Sequence, residues 1–262
     1  MARPYDLASL SDVKAWLDVS GADDDALLSR LVSQISRAIL AHLDRPAILP
    51  ATYAETLDGG GQRSLALTNW PVNAILSVSI DGEPLRPSDY DLEAAEAAPP
   101  GGRQSLSLRG RRFPCGARNV EVAYSAGYQV SGETAPVPLL APFVVAAAAP
   151  YGDWASDVGV VAGGTPLTAV SGAPGPGQYS VAGGVYAFSS AQAGAAATLT
   201  YGYVPADLGL ACMDWVAERY AYRGRIGQSS KSLGGQETMA FIVRDMPEFV
   251  AAALRPYRRV CP

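Results

Sequence analysis

The chain has 262 residues, of which 48% are hydrophobic and 17% are charged, and its formal net charge is −5. This composition excludes a disordered chain, and the acidic balance argues against a protein that coats nucleic acid or an anionic membrane. Three cysteines without Cys-x-x-Cys spacing argue against a disulfide framework and a structural zinc site. We expect a soluble protein with neither signal peptide nor membrane span.

Two helices are predicted in the first fifty residues. Ser9 and Asp12 resemble a capping box at the start of the first helix, and Gly21 is expected to end it. Three aspartates at 23–25 suit the start of the second helix, where exposed N–H groups stabilise carboxylates, and Pro46 is expected to stop it. Its apolar stripe has three- and four-residue spacing: Leu28, Leu31, Ile35, Ile39 and Leu43.

From residue 51 to residue 128 the hydrophobic period changes to two, which predicts an antiparallel β unit of about five or six short strands. Turn signals at 58–61 and 81–82 separate the strands, and residues 94–103 are predicted to form a surface loop. The alternating positions are Leu65 and Leu67, then Leu76, Val78 and Ile80, then Val120, Val122 and Tyr124.

Two similar tyrosine segments, 124–128 and 201–203, each close a β-rich stretch, but only the second then opens a helix. We interpret the pair as one strand-to-helix junction interrupted by an inserted domain. The insert has no Lys, Arg or His, and paired glycines separate its short strands, so a small β-sandwich or barrel is predicted. The predicted strands are Val158–Val161, Leu167–Val170, Tyr179–Val181, Val185–Phe188 and Leu199–Tyr203.

The C-terminal part is predicted to be helical again. Pro205 and Asp207 suit the first turn of a helix whose apolar face includes Cys212 and Trp215. Residues 227–238 are polar and flexible by composition, and 247–257 form a second short helix.

No constellation for catalysis is visible in the sequence. The single histidine, His42, lies beside the apolar stripe of the second helix and is interpreted as a packed or surface residue. No Gly-x-Ser-x-Gly elbow, phosphate-binding loop or calcium loop is present. We therefore predict neither an enzyme nor a cofactor or metal site. The aromatic residues of the insert are interpreted as core rather than as a carbohydrate-binding surface: Tyr179, Tyr186, Phe188, Tyr201 and Tyr203.

Several short motifs resemble the head–tail connector (adaptor) family of the tailed-bacteriophage neck. The resemblance covers roughly residues 1–128 and 204–262. The N-terminal motifs are Leu10-x-Asp12-Val13-Lys14-x-Trp16-Leu17, Asp24-Asp25-Ala26-Leu27-Leu28 and Leu43-x-Arg45-Pro46. The β motifs are Trp70-Pro71-Val72, Val78-x-Ile80-Asp81-Gly82 and Tyr90-x-Leu92. The C-terminal motifs are Pro205-Ala206-Asp207-Leu208, Glu218-Arg219-Tyr220, Arg223-x-x-x-Gly227 and Leu254-x-Pro256-Tyr257-Arg258-Arg259.

The resemblance implies a structural virion protein assembled in the bacterial cytoplasm. It implies a ring of twelve copies under the portal protein, which extends the DNA channel without specific DNA binding and receives a downstream stopper, tail-tube or terminator protein. The C-terminal section is then expected to dock on the portal. The residues expected to take part are Arg225, Lys231, Phe249, Leu254, Arg255, Tyr257, Arg258 and Arg259.

The expected fold class is α+β with four parts: N-terminal helices at 1–50, an antiparallel β part at 51–129, the insert at 130–203 and a C-terminal helix with a docking tail at 204–262. Three alternative functions stay open at this point. They are another neck protein such as a stopper, a carbohydrate- or surface-binding module that uses the insert, and a virion-borne cell-wall hydrolase.

Overall fold

The computed structural model describes residues 5–96, 98–225, 230–233, 237–240 and 246–259, with the backbone alone for Arg225 and for 230–233 and 237–240. The chain divides into two compact units. One consists of Met1–Pro46 with Ala206–Arg258, and the other of Ala47–Pro205 with Arg259–Pro262. Within the described residues, no helix combines the length and hydrophobicity needed to cross a bilayer.

The first unit is mainly helical, as the sequence predicts for both ends of the chain. Ser9 caps the first helix by accepting a hydrogen bond from the Asp12 amide at 3.1 Å, which confirms the predicted N-cap. The expected stop at Gly21 is wrong: the helix ends at Trp16, and Asp18 adopts a left-handed conformation with φ 54°. The helices are α1 Leu10–Trp16, α2 Asp25–Leu43, α3 Ala206–Tyr222 and α4 Glu248–Leu254.

Helix α2 buries the stripe that its spacing predicts, because positions three and four residues apart fall on one face. Leu28, Ile39 and Leu43 are fully buried, and Val32 joins them where the sequence suggested Leu31. The helix ends because Asp44 turns into the left-handed conformation while the Asp44 and Arg45 amides donate to carbonyls of the last turn.

The second unit begins with seven strands and one hydrophobic core. They form a four-stranded sheet in the order β1-β7-β3-β4 and a three-stranded sheet in the order β2-β6-β5, with antiparallel pairing throughout. The strands are β1 Ala51–Gly59, β2 Ser64–Ala66, β3 Val72–Ile80, β4 Glu83–Pro84, β5 Tyr90–Leu92, β6 Ser105–Leu108 and β7 Gly116–Ala126.

The alternation predicted for β3 is interrupted. Val78 and Ile80 are buried as expected, but Leu76 is 57% exposed. The pairing of β3 with β7 shifts register between Ile75 and Ser77, so Leu76 lies at a β-bulge. A bulge adds one residue and reverses the side-chain alternation, which is the reason that this leucine faces solvent.

The remaining strands of this unit form a second, separate core. Two four-stranded sheets, in the orders β11-β10-β15-β8 and β12-β13-β14-β9, both contribute to it. Two sheets that share one core form the sandwich that the sequence predicts. The strands are β8 Gln129–Pro136, β9 Val144–Ala146, β10 Gly152–Ala162, β11 Thr165–Pro166, β12 Thr168–Ala169, β13 Gln178–Ala182, β14 Val185–Phe188 and β15 Ala196–Pro205.

Helix α3 follows β15 without a linker, since the strand ends at Pro205 and the helix begins at Ala206. The other tyrosine segment is followed by strand β8 instead, so only the second segment opens a helix, as predicted. The flexible segment predicted over 227–238 lies partly outside the described residues. Its described part contains β16 Ser230–Leu233 and β17 Glu237–Ala240, which pair in antiparallel fashion.

Candidate partner-binding surfaces

Helix α4 packs onto the helical unit through one face and leaves the other exposed. Val250 and Leu254 are fully buried, and Tyr257, in the turn that follows, is 1% exposed. Phe249 is 55% exposed on the opposite face. The expectation that Leu254 and Tyr257 offer apolar anchors to a partner is therefore corrected, because both side chains already pack within this chain.

A polar clasp holds this C-terminal turn. The Tyr257 hydroxyl donates to Asp207 Oδ1 at 2.5 Å, and the buried Arg45 donates from Nε to the Tyr257 carbonyl at 2.7 Å. Arg45 lies just after α2, and Asp207 lies in the first turn of α3. This Arg45–Tyr257–Asp207 clasp thus ties three distant segments of the helical unit together.

The other predicted docking residues differ in their exposure and in the unit to which they belong. Arg255 and Arg258 are exposed, while Arg259 belongs to the second unit, where Nη1 donates to Asn69 Oδ1 at 3.3 Å. For Arg225 and Lys231 the side chains lie outside the described part of the chain. The described and exposed members of the set are therefore Phe249, Arg255 and Arg258.

A second clasp joins the start of α2 to the end of α3. Asp24 accepts hydrogen bonds from the Tyr220 hydroxyl at 2.5 Å and from Arg223 Nη1 at 2.7 Å. The guanidinium of Arg223 also lies over the Tyr220 ring, 4.5 Å from its centroid. The hydrogen bonds from Arg223 and Tyr220 hold the pKa of Asp24 below its ordinary value. From its sequence position Asp24 is expected only to stabilise the start of a helix, because a partner 199 residues away leaves no local signal.

The two tyrosine segments meet at the ends of the predicted insert. The Tyr203 amide donates to the Tyr128 carbonyl at 3.2 Å, and the two rings make an edge contact with centroids 5.9 Å apart. Gly127 is required beside them, because it has φ 136° and a Cβ there would lie 2.5 Å from the Leu49 backbone. The chain therefore enters and leaves the residues 130–203 at one place.

A groove of about 620 Å³ lies beside this meeting point, within the second unit. Tyr128, Tyr151 and Tyr203 line it together with Gln129 and Glu133. The Tyr128 hydroxyl donates to the Pro100 carbonyl at 2.7 Å, and Glu133 accepts from the Tyr201 hydroxyl and the Ala148 amide. These polar groups therefore bond within the chain.

The aromatic residues of the sandwich are buried, as the sequence analysis expected. Tyr186 and Tyr201 are fully buried, and their neighbours Tyr179, Phe188 and Tyr203 are 2 to 5% exposed. A surface that binds sugar by ring stacking needs exposed rings, so these residues do not provide one. The carbohydrate-binding alternative loses its main support.

The carboxylates of the sandwich turn toward tyrosines. Asp157 accepts from the Tyr179 hydroxyl at 2.5 Å and from the Tyr186 hydroxyl at 3.1 Å. Burial, and after it the nearby carboxylate, raises the pKa of both phenols. A tyrosine with a raised pKa stays protonated and acts as a hydrogen-bond donor, so these groups hold the two sheets together.

No metal site is visible in the described part of the chain. No group of three His, Cys, Asp or Glu side chains in it could hold a metal ion. His42 is half-buried in the last turn of α2, in agreement with a packed or surface residue. Cys212 is buried, and burial raises the pKa of its thiol to about 12, which suppresses the reactive thiolate.

No family model and no curated protein sequence matches this chain. Among solved structures, it is similar to a chain in the neck of an empty GTA particle, computed with C6 symmetry. The identity is 14%, the TM-score is 0.46, and the similarity covers 100% of this chain and 94% of that chain. It is also similar, at 15% identity with the same TM-score and coverage, to a chain in the virion of a native gene transfer agent particle. Identity and TM-score are both low, so these similarities carry no argument about the function of this chain.

Proposed function

We propose that this chain is a structural adaptor in the neck of a tailed phage or a phage-like particle. Copies form a ring of twelve under the portal protein, extend the DNA channel and receive the next neck or tail protein. The ring is assembled in the bacterial cytoplasm and becomes part of the virion, with no cofactor and no catalytic step.

One observation carries this proposal: the motifs that resemble the connector family contact one another in the folded chain. Asp24 in the second N-terminal motif bonds to Tyr220 and Arg223 in the C-terminal motifs. Arg45 in the third N-terminal motif bonds to Tyr257. Motifs about 200 residues apart thus form the two clasps of a single helical unit. These contacts support the resemblance, because motifs that matched the family by chance at helix caps would not be expected to contact one another.

The charge of the chain suits a DNA conduit. With a formal net charge of −5, the protein has no excess of cations with which to bind the phosphate backbone. DNA can therefore pass without being held, whereas a strongly basic channel would resist its movement.

The experiment that tests the adaptor role measures binding to the portal protein of the same particle. Because Leu254 and Tyr257 support the fold, deleting the C-terminal segment would also remove core contacts. Point variants on the exposed face are therefore preferable. We expect Phe249→Asp, Arg255→Glu and Arg258→Glu to weaken portal binding, each by roughly tenfold or more if the residue lies in the contact.

Arg111→Glu is the matched control, since Arg111 is an exposed arginine of the β unit. Binding is measured by co-sedimentation with assembled portal rings, and folding of each variant by circular dichroism. Full portal binding by the triple variant of Phe249, Arg255 and Arg258 would contradict the docking surface. Absence of binding by the wild-type chain would contradict the adaptor role, and a site below an adaptor ring would then indicate a stopper-like protein.

A further inference from the structure

Two surfaces of the helical unit face away from its own packing. The unit is held at its centre by contact between α2 and α3, where Ser36 Oγ and Cys212 Sγ are 3.6 Å apart and both residues are fully buried. These two residues mark the sides of α2 and α3 that face each other. Residues on other sides of the two helices can be located from them, because a helix turns by about 100° per residue.

On α3, an exposed apolar surface surrounds a carboxylate. Leu210 and Asp214 each lie two positions from Cys212, about 200° around the helix, and so on the side away from α2. Leu210 is 42% exposed, and Trp16 at the end of α1 is 53% exposed. Trp16 hydrogen-bonds to Asp214, which places its indole on this same surface. Exposed Trp and Leu at one place are typical of a protein contact rather than of a solvated helix.

Asp214 has no cationic partner among the described residues of this surface. It is half-buried, burial raises its pKa, and it makes no ion pair within the described residues. A partly buried carboxylate without a cation is destabilised, so an arginine supplied by a partner would stabilise it.

On α2, a groove with two arginines lies on the flank of the helix, beside the side that contacts α3. Arg30 and Arg37 are seven residues apart, so they lie nearly in line, about 100° to 120° from Ser36. Both are exposed, and neither makes an ion pair within the described residues. The groove measures about 470 Å³, and its lining includes Leu10, Val32 and Asp6 besides the arginines. The groove is therefore mainly polar, with a few apolar side chains, and its charged residues carry a net positive charge.

We propose that the Trp16–Leu210–Asp214 surface of one copy docks into the Arg30–Arg37 groove of the next copy of this chain. The occupant is a second copy because the chain itself carries both halves of the contact: a carboxylate among exposed apolar side chains, and a groove with two cations. The two halves are different surfaces, so the contact is head-to-tail. A row of copies therefore has one unoccupied surface at each of its two ends. A head-to-tail contact that repeats with a constant rotation closes into a ring.

This inference rests on the proposed ring and names the surfaces that build it. The test uses the purified full-length chain, with self-association followed by sedimentation velocity over a series of protein concentrations. We expect Asp214→Lys alone, or Arg30→Glu with Arg37→Glu, to weaken association by roughly tenfold or more, which corresponds to about 1.4 kcal/mol. Placing all three substitutions in one chain restores opposite charges across the contact, and association should recover to within about threefold of wild type.

Arg111→Glu is again the matched control and should leave association unchanged. A wild-type chain that stays monomeric at every concentration would overturn the inference, and so would association that is indifferent to the reversals. Weakening by the single reversals with recovery in the combined variant supports it. Intact portal binding without self-association would overturn only this contact, whereas self-association without portal binding would overturn the adaptor role.

Discussion

Tyr257 joins three segments of the helical unit through a single residue. Its ring is buried, its hydroxyl donates to Asp207, and its carbonyl accepts from Arg45. A sequence motif that ends in Pro-Tyr-Arg-Arg suggests an exposed basic tail, but the tyrosine faces inward and, of the two arginines after it, only Arg258 is exposed. Tyr257 therefore supports the fold, whereas its neighbour Arg258 is exposed to solvent.

Replacing this hydroxyl should destabilise the helical unit. Tyr257→Phe keeps the buried ring but removes the hydrogen bond that the hydroxyl donates to the Asp207 carboxylate. The stabilisation from that bond is then lost. We expect the free energy of unfolding to fall by about 1.5 kcal/mol, measured by urea denaturation. Tyr5→Phe is the matched control, because Tyr5 is 50% exposed. Equal stability of the two variants would contradict the clasp.

The Asp24 clasp should make stability depend on acid pH. Its pKa is held below the ordinary 3.8 by hydrogen bonds from Arg223 and Tyr220, so the ionised form is stabilised in the folded state. That contribution is present above the unfolded pKa and is lost as the pH falls through the lower folded pKa.

Asp24→Asn should therefore lower the urea midpoint near neutral pH, and the difference from wild type should disappear below the folded pKa of Asp24. The neighbouring exposed Asp23→Asn is the control. A difference between Asp24→Asn and wild type that persists unchanged at low pH would show that the ionised carboxylate is not the stabilising form.

Single residues show how far local sequence signals extend. The N-cap at Ser9 and the buried face of α2 follow from short-range spacing, and both were predicted. The clasps were not, because a residue's partner across roughly 200 positions depends on how the elements pack. For the same reason the sequence does not single out Asp214, Arg30 and Arg37. In the sequence they resemble ordinary charged residues on amphipathic helices, and only the folded structure shows their surroundings.

Among the elements, strands with strong alternation were predicted, and two edge strands of the sandwich were missed. Strand β14 was predicted with its observed bounds, since paired glycines precede it and aromatic residues alternate along it. Strands β8 and β9 lie at the edges of their sheets. An edge strand packs less fully on the core, so fewer of its positions need hydrophobic residues. In Gln129–Pro136 hydrophobic and polar residues accordingly do not alternate clearly.

The meeting of the two insert ends leads to a prediction about separability. Because Tyr203 bonds to Tyr128, a short turn can replace residues 130–201 without stretching the chain on either side. The first β core contains no residue of the insert, so the shortened protein should retain it. We expect cooperative thermal unfolding, followed by circular dichroism, with most of the helical signal preserved.

The control removes a segment of the first β core, residues 83–92, which should abolish cooperative unfolding. If excision of 130–201 unfolds the chain as completely as this control, the residues are part of one domain rather than an insert.

At the scale of the whole molecule, composition and hydrophobic periodicity were enough to predict the α+β class. They predicted helices at both ends of the chain and two β regions between them. The division of the chain into a helical unit made from its two ends was not predicted, because the expected parts kept the N-terminal and C-terminal helices separate. Contact between the ends is a property of the folded chain, and it brings N-terminal residues such as Trp16 into the proposed ring contact beside Leu210 and Asp214 of α3. Portal docking and ring closure would then involve the same helical unit.

The adjacent ends of residues 130–203 also define a grafting position. A foreign domain whose own termini lie a few ångströms apart could replace the sandwich there, joined at Tyr128 and Tyr203, and the helices would keep their connection to the first β core. If the ring forms as proposed, each particle would then carry the foreign domain at a fixed number of copies around one collar. The position would turn a neck component into a display platform of defined valency.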